Sequence, residues 1–365
     1  MTHHDGGWGI LSSQQDEDQA RAQAVSDPAA YHAAIAAKEL HWYDTSREQW
    51  VSQPSANAWQ GWHAVSGAEG SADADWTPWS SALDASAAPF YRWFVDGQTN
   101  ACFNLLDRHV LSGRGKKQAL VFEGDRWDPS KNEGRGGPVF EQRLSYRELL
   151  IEVALRARVL KSLDLSAGDR IALNLPNILE QIFYILAAQR LGVIYTPVFG
   201  GFSAKTLSDR IHDAGAKVVI TADGGYRNAE VVSYKSTYVD PALDNYVPRP
   251  AALKALSETL KSRLPADVAE RLEVQVTEAV AGEITLERAD VMRELGLALE
   301  RERGTAPEII AELRTTVASE LASVSHAVTN VIVVRYTGND IVEHSRDRWS
   351  HDLIAELEAE FLADA

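Results

Sequence analysis

The sequence predicts an α/β protein built on a parallel βαβ sheet, preceded by an irregular N-terminal arm and interrupted by an α-helical insertion. Three observations carry this. Between Leu144 and Thr221, short β-branched runs alternate with helical stretches of ten to fifteen residues, the signature of crossover connections between parallel strands. From Ala251 to His326, narrow apolar stripes at helical spacing replace the strand-like runs. The first ninety residues hold a single apolar-periodic stretch, Tyr31–Leu40, followed by a segment rich in Ser, Ala, Asp and Trp. The expected organisation is an arm over 1–88, an α/β region over 89–250, a helical insertion over 251–326 and a return to α/β over 327–365.

Each element has a local cause. Ser145-Tyr-Arg-Glu148 is a capping box, in which the serine oxygen accepts an early helix N–H and the glutamate reaches back. Leu149, Leu150, Val153, Val159 and Leu160 then mark one helix face, and Ser166-Ala-Gly168 ends the segment. Arg170–Leu175 reads as a strand, Ile178–Leu191 as an apolar helix stopped by Gly192, and Val193–Phe199 as a second strand. Ala204–Ala214 is the next helix and Lys217–Thr221 a third strand. In the insertion, Leu253, Leu256, Leu260 and Leu264 form the first stripe. Val268, Leu272 and Val276 form the second, and Val291, Leu295 and Leu299 the third. A fourth helix follows Thr305 and Pro307, because proline is tolerated in a first turn where its missing N–H has no partner to lose. Charged residues between the stripes suit a helical bundle, either solvated or docked to a partner. Asn330–Arg335 restores a strand, and His351–Leu362 closes the chain as an amphipathic helix.

Composition bounds the function. The chain has 365 residues, 45% of them hydrophobic, and a formal charge of −16 from 36 basic and 52 acidic side chains. Such an excess of negative charge opposes non-specific binding to nucleic acid or anionic lipid. The single cysteine, Cys102, excludes an intramolecular disulfide framework and a cysteine-based zinc site. No signal-peptide pattern opens the sequence, and no stretch approaches the ~20 apolar residues of a bilayer span. The expectation is a cytoplasmic protein with no nucleic-acid or membrane partner.

Several residue groups invite a chemical reading and have a plainer one. Trp59, Trp62, Trp76 and Trp79 read as a sugar-stacking surface or as rings that fasten an extended arm; packing is preferred, because each ring buries much apolar area. Gly134-Arg-Gly-Gly137 lacks the Ser, Thr and Lys of a phosphate cradle and reads as an exposed turn. Asp107-Arg-His109 beside Cys102 offers a nucleophile and a base only by adjacency, which is not catalytic geometry. His344 and His351 lack a third metal ligand at useful spacing.

Three segments carry a family resemblance. Pro89-Phe-Tyr-Arg-Trp-Phe-Val-Asp-Gly97, with Asn100 and Asn104-Leu-Leu-Asp-Arg-His109, is similar to the opening of the acetyl-CoA synthetases and their propionyl-CoA relatives. Val198-Phe-Gly-Gly-Phe-Ser-Ala204, followed by Ser208-Asp-Arg-Ile211, resembles their second strand–turn–helix, and Lys217–Arg227 resembles the segment leading to their coenzyme A site. The likeness runs from about Pro89 to Asp244 and resumes from Asn330 to Asp352, roughly half of the chain. It implies the N-terminal domain of an AMP-forming, adenylate-forming ligase, incomplete here. Such enzymes join a carboxylate to coenzyme A through an acyl-adenylate. The family's Ser/Thr/Gly-rich loop ending in Pro-Lys-Gly, which holds ATP with Mg²⁺, does not occur in this sequence. The expectation is therefore a ligase portion that does not adenylate alone, no catalytic or metal residues of its own, and ATP and Mg²⁺ held only with the remainder of the ligase. By resemblance, Phe199, Gly200, Gly201 and Arg227 line the nucleotide end of coenzyme A. Taken without the family, Phe199 is a core residue and Arg227 a solvated loop arginine. Glu230 stands where the family carries a second basic residue; a carboxylate there repels a coenzyme phosphate, so the phosphate is held elsewhere or less tightly.

The long arm and the helical insertion look more like the ligase part of the propionyl-CoA synthase family, where fused hydratase and reductase domains follow a 3-hydroxypropionate-activating ligase. The alternative is a stand-alone, non-enzymatic module that binds coenzyme A or assembles, as a homo-oligomer for instance, through the helical insertion.

Overall fold

The computed structural model describes residues 13–43, 62–64, 78–228, 230–302, 306–324 and 326–363. The chain divides into two compact units, Met1–Lys116 and Lys117–Ala365. The segment from Pro89 to Lys116 therefore belongs with the first unit, beyond the border at residue 88 expected from composition. Among the described residues, no helix is long and apolar enough to cross a membrane.

The first unit is more regular than its composition implies. Gln14–Ser26 is a helix with no buried residue, held by its Ser13 cap and by a Glu17–Arg21 pair, so apolar periodicity could not mark it. Pro28–Glu39 follows, capped by Asp27, whose carboxylate accepts from the Ala30 N–H at 2.9 Å. Trp42 is buried against Trp79 and Phe94, with ring centroids 4.9 and 5.3 Å away, and its indole N–H donates to the Ala36 carbonyl. Trp79 thus fastens the unit by packing; the side chains of Trp59, Trp62 and Trp76 lie outside the described residues. Cys102 and Asp107 are fully buried, so that cluster presents no nucleophile to a substrate.

In the second unit the elements of the sheet are α1 (Tyr146–Ser162), β1 (Arg170–Asn174), α2 (Leu179–Leu191), β2 (Ile194–Pro197), α3 (Ala204–Ala214) and β3 (Val218–Ala222). Both halves of the Ser145–Glu148 capping box form at the start of α1. Gly192 ends α2 in the left-handed region at φ 71°, which glycine enters without a Cβ penalty. The four-helix insertion is α4 (Arg249–Arg263), α5 (Ala266–Ala279), α6 (Arg288–Arg301) and α7 (Pro307–Ser323). The chain then returns through β4 (Asn330–Val334), β5 (Asp347–Trp349) and α8 (Ser350–Ala363). The five strands form one parallel sheet in the order β2-β1-β3-β4-β5. Its register sets Val218 between Ile171 and Asn330, and Val331 beside Asp347. One face, with Ala172, Val219, Val331 and Val333, packs on Leu207 and Ile211 of α3. Tyr184 of α2 is fully buried, and its hydroxyl pairs with Ser350 Oγ of α8 at 2.7 Å.

Two buried charges knit the far loops to the sheet. The Asp223 carboxylate, just past β3, accepts from the backbone N–H groups of Gly224, Tyr336, Thr337, Gly338 and Asn339 at 2.7–3.1 Å. Successive amides converging in this way make a nest that replaces the water a buried anion loses. Lys235 is also fully buried, and its ammonium reaches Asp240, Asp347 and the Val342 carbonyl at 2.7–3.0 Å. Its three donors are all used.

The helical stripes close on one another. Leu256, Leu260, Leu272, Val276, Val291, Leu295, Leu299, Leu313, Val317 and Leu321 share one buried core. The segment is not purely helical, as its residues implied. Thr285–Glu287 pairs antiparallel with Tyr246–Pro248, and the fully buried Thr285 donates its N–H to Asp209 of α3 at 3.1 Å. A three-residue strand is too short for periodicity to reveal.

Candidate functional site

A strand order of 2-1-3-4-5 has its switch point between β1 and β3, where successive crossovers leave in opposite directions. Ligands of open α/β sheets settle there, outside the carboxyl ends of the strands. A cavity of about 360 Å³ lies at this place. Pro176 and Asn177 enter it from the end of β1, the stretch Pro197–Gly201 from the end of β2, and Tyr226 and Arg227 from the hairpin after β3. Phe199, Gly200, Gly201 and Arg227, which are far apart in sequence, are thus brought to one cavity. Asp125, Gln181 and Tyr234 line it too and were not singled out from the sequence.

Phe199 is not a core residue: its side chain is 68% exposed and stands edge-on to Phe202 with centroids 5.8 Å apart. A large ring left open at a cavity mouth is surface that a flat ligand can cover. The glycines make room for neighbouring side chains. A Cβ on Gly200 would collide with the Tyr234 hydroxyl, and one on Gly225 would come 2.8 Å from the same ring. The Tyr234 ring is slotted between two glycine backbones. A Cβ on Gly201 would lie 2.7 Å from the Phe199 ring and 3.6 Å from Arg227 Nη1. The faces of both glycines are therefore taken up by the protein's own rings and guanidinium.

The charges are mixed. Burial pushes the Tyr234 phenol up; the neighbouring Tyr238 and Asp125 add to the effect, and the Arg227 guanidinium opposes it. Glu230 is exposed and faces Arg227 across the hairpin Gly225–Arg227/Glu230–Val232, turned by Asn228 at φ 51°. The carboxylate at the expected basic position is thus the cross-strand neighbour of the arginine.

The other candidates resolve plainly. Gly134 and Gly136, at φ 83° and 81°, shape a turn beside the short ribbon Trp127–Asp128/Gly137–Pro138, and the open face of Gly136 is filled by the Trp127 ring. His344 does find two carboxylates, Asp240 and Asp244, with ligand atoms within 4.8 Å. Both are engaged: Asp240 by Lys235, and Asp244 by two guanidinium contacts from Arg346 at 2.8 and 2.9 Å. Those side chains supply the positive charge a cation would bring. His351 is half exposed and pairs with Asp352.

Residues 111–307 match the family model described as AMP-binding enzyme, and residues 68–105 match that of the acetyl-coenzyme A synthetase N-terminus. The acetyl-coenzyme A synthetase of Methylobacillus flagellatus is 45% identical over 168 residues, covering 46% of this chain and 24% of the relative. That of Wolinella succinogenes is 46% identical over 171 residues, with the same coverage. That of Rhodopirellula baltica is 33% identical over 235 residues, or 64% of this chain and 29% of the relative. The chain spans about a quarter of the length of these curated relatives. With one model spanning more than half of the residues, over a parallel sheet with its cavity at the switch point, the chain belongs to the AMP-binding enzyme family.

Proposed function

We propose that this chain supplies the coenzyme A side of an AMP-forming acyl-CoA synthetase acting on a short-chain carboxylate. The observation that carries the reading is the convergence of Phe199, Gly200, Gly201 and Arg227 on one cavity at the carboxyl edge of β1, β2 and β3. The donor set fits the group. Arg227 offers a planar guanidinium to a phosphate and Phe199 an open ring to a flat surface. The overall reaction joins carboxylate and thiol as a thioester, with ATP leaving as AMP and pyrophosphate. This sequence has no Ser/Thr/Gly-rich loop ending in Pro-Lys-Gly to cradle triphosphate, so no step on ATP or Mg²⁺ is assigned to its residues. Carboxylate-dependent ATP–pyrophosphate exchange by this chain alone is expected to be undetectable.

The finer reading is the 3-hydroxypropionate-activating ligase of a propionyl-CoA synthase, working with the remainder of the ligase and with hydratase and reductase domains. Its support is the long N-terminal arm and the helical insertion between β3 and β4.

Calorimetric titration of the full chain with coenzyme A tests the site. Arg227→Ala should weaken binding about 10-fold or more, since a hydrogen bond to a charged group contributes ~1.5–3 kcal/mol. Glu230→Arg should tighten it by removing a like charge from beside the phosphate. An unchanged Kd in Arg227→Ala removes that arginine from the site.

A further inference from the structure

A second cavity, of about 270 Å³, is built by the hairpin that precedes the sheet and by the loops beyond β3 and β4. Backbone bonds fix its frame. Past the paired strands Gln118–Glu123 and Glu141–Ser145, the Gly124 N–H donates to the Phe140 carbonyl at 2.8 Å and the Val139 N–H to the Arg126 carbonyl at 2.7 Å. A Cβ on Gly124 would come 3.3 Å from the Phe140 oxygen, so glycine lets the two chains close. Tyr336 enters from the loop after β4 with its N–H held by Asp223 at 2.8 Å, and its ring meets Tyr226 edge-on with centroids 5.8 Å apart. Walls fixed in advance cost a ligand little ordering when it binds.

The lining combines open apolar surface with two opposite charges. Val139 and Phe140 are 43% and 51% exposed. Asp125 and Arg126, neighbours in sequence, are exposed as well and line the same cavity. Among the described residues no side chain pairs with the Arg126 guanidinium. Asp125 is half engaged: its Oδ2 accepts from the Tyr336 hydroxyl at 3.2 Å. Burial first, and then the Asp125 charge, push the Tyr336 phenol up, so that hydroxyl remains the donor.

These features select a ligand by elimination. A simple carboxylate satisfies Arg126 but faces Asp125, and a simple amine satisfies Asp125 but faces Arg126. A purely apolar molecule leaves both charges to water. A zwitterion with an apolar substituent meets all three demands, and the tyrosine rings beside Asp125 favour a cation at that end. The volume lies below the ~300–1,000 Å³ of drug-sized sites, which suits one amino acid and not a peptide.

We propose that this cavity binds a free apolar α-amino acid: Arg126 takes its carboxylate, Asp125 its ammonium, and Phe140, Val139 and the two tyrosines its side chain. The site stands apart from the coenzyme reading, because Arg126 lines this cavity and not the first, whereas Arg227 lines the first and not this one.

The test is calorimetric titration of the full chain with L-phenylalanine, with 3-phenylpropanoate, which lacks the ammonium, and with 2-phenylethylamine, which lacks the carboxylate. Phenylalanine should bind about 10-fold or more tightly than either, the effect of one charge-assisted contact. Arg126→Gln should weaken phenylalanine about 10-fold or more and bring it level with phenylethylamine; Asp125→Asn should bring it level with phenylpropanoate. Phe140→Ala should weaken all three about 3-fold or more through lost ring contact. Coenzyme A titrated in parallel should bind Arg126→Gln as it binds the unaltered chain. Absence of phenylalanine binding at millimolar concentration overturns the proposal, as does phenylpropanoate or phenylethylamine binding as tightly as phenylalanine. Phenylalanine affinity indifferent to Arg126→Gln and Asp125→Asn overturns it too. A 10-fold loss of coenzyme A affinity in Arg126→Gln would assign that arginine to the coenzyme and overturn the amino-acid site, while leaving the coenzyme reading in place.

Discussion

The parallel sheet and the helical insertion of the second unit are held together differently. Around the sheet, fully buried side chains include an aspartate, a lysine and a tyrosine, each paired: Asp223 with five amides, Lys235 with two carboxylates and a carbonyl, Tyr184 with Ser350. The bundle of α4–α7 has an apolar core, and its ion pairs, such as Arg271–Glu302 and Arg263–Glu312, lie on the surface. The functional cavity belongs to the first kind of architecture. A buried charge binds only the partners whose geometry suits it, so it fixes loops in one arrangement, whereas apolar contacts hold helices together with less regard to direction. The sheet region is specified by polar geometry where its loops must be placed, and the bundle by area.

The contrast can be broken most sharply at Lys235. Lys235→Met leaves Asp240 and Asp347 without their ammonium and is expected to cost ~3–5 kcal/mol in urea unfolding. A loss below 1 kcal/mol would show that the network can relax. Next in size is Leu256→Ala, in the apolar core of the bundle, with an expected cost of ~2–5 kcal/mol from lost burial and a cavity. Hydrogen exchange sharpens the comparison here: protection should fall across α4–α7 and hold in β1 and β3. Equal loss in both regions would make them one cooperative unit. The smallest effect is expected at Asp169. A hydrogen bond from Lys217, then the Ser166 N–H, holds its carboxyl at about 2, below the ordinary 3.8. A depressed value of this sort stabilises the fold above pH 3.8, and the contribution disappears as pH falls through about 2. Asp169→Asn should therefore flatten the decline of Tm across that window and leave the curve above pH 5 parallel to the unaltered chain. A decline as steep as before would mean that other carboxylates carry the acid transition.

The amino-acid sequence by itself determined the elements and their order. Capping at Ser145, the stop at Gly192, the apolar runs of β1 to β3 and the apolar stripes of the insertion are local signals, each a matter of a few neighbouring residues and the period of a helix or strand. It also carried the likeness that named Phe199, Gly200, Gly201 and Arg227. Where the signal was weak, the elements escaped: Gln14–Ser26 buries no face, and Thr285–Glu287 is too short to show a period. Only the tertiary structure decided what those four residues stand beside. Tyr234 fits between Gly200 and Gly225 because two backbones from different loops run close, and Asp125 reaches the cavity from a hairpin that precedes the sheet. Asp223 meets Tyr336 more than a hundred residues along the chain. Such meetings depend on loop closure and strand order, which leave no mark on the residues at either end, so a buried aspartate and a solvated one read alike until the sheet has formed.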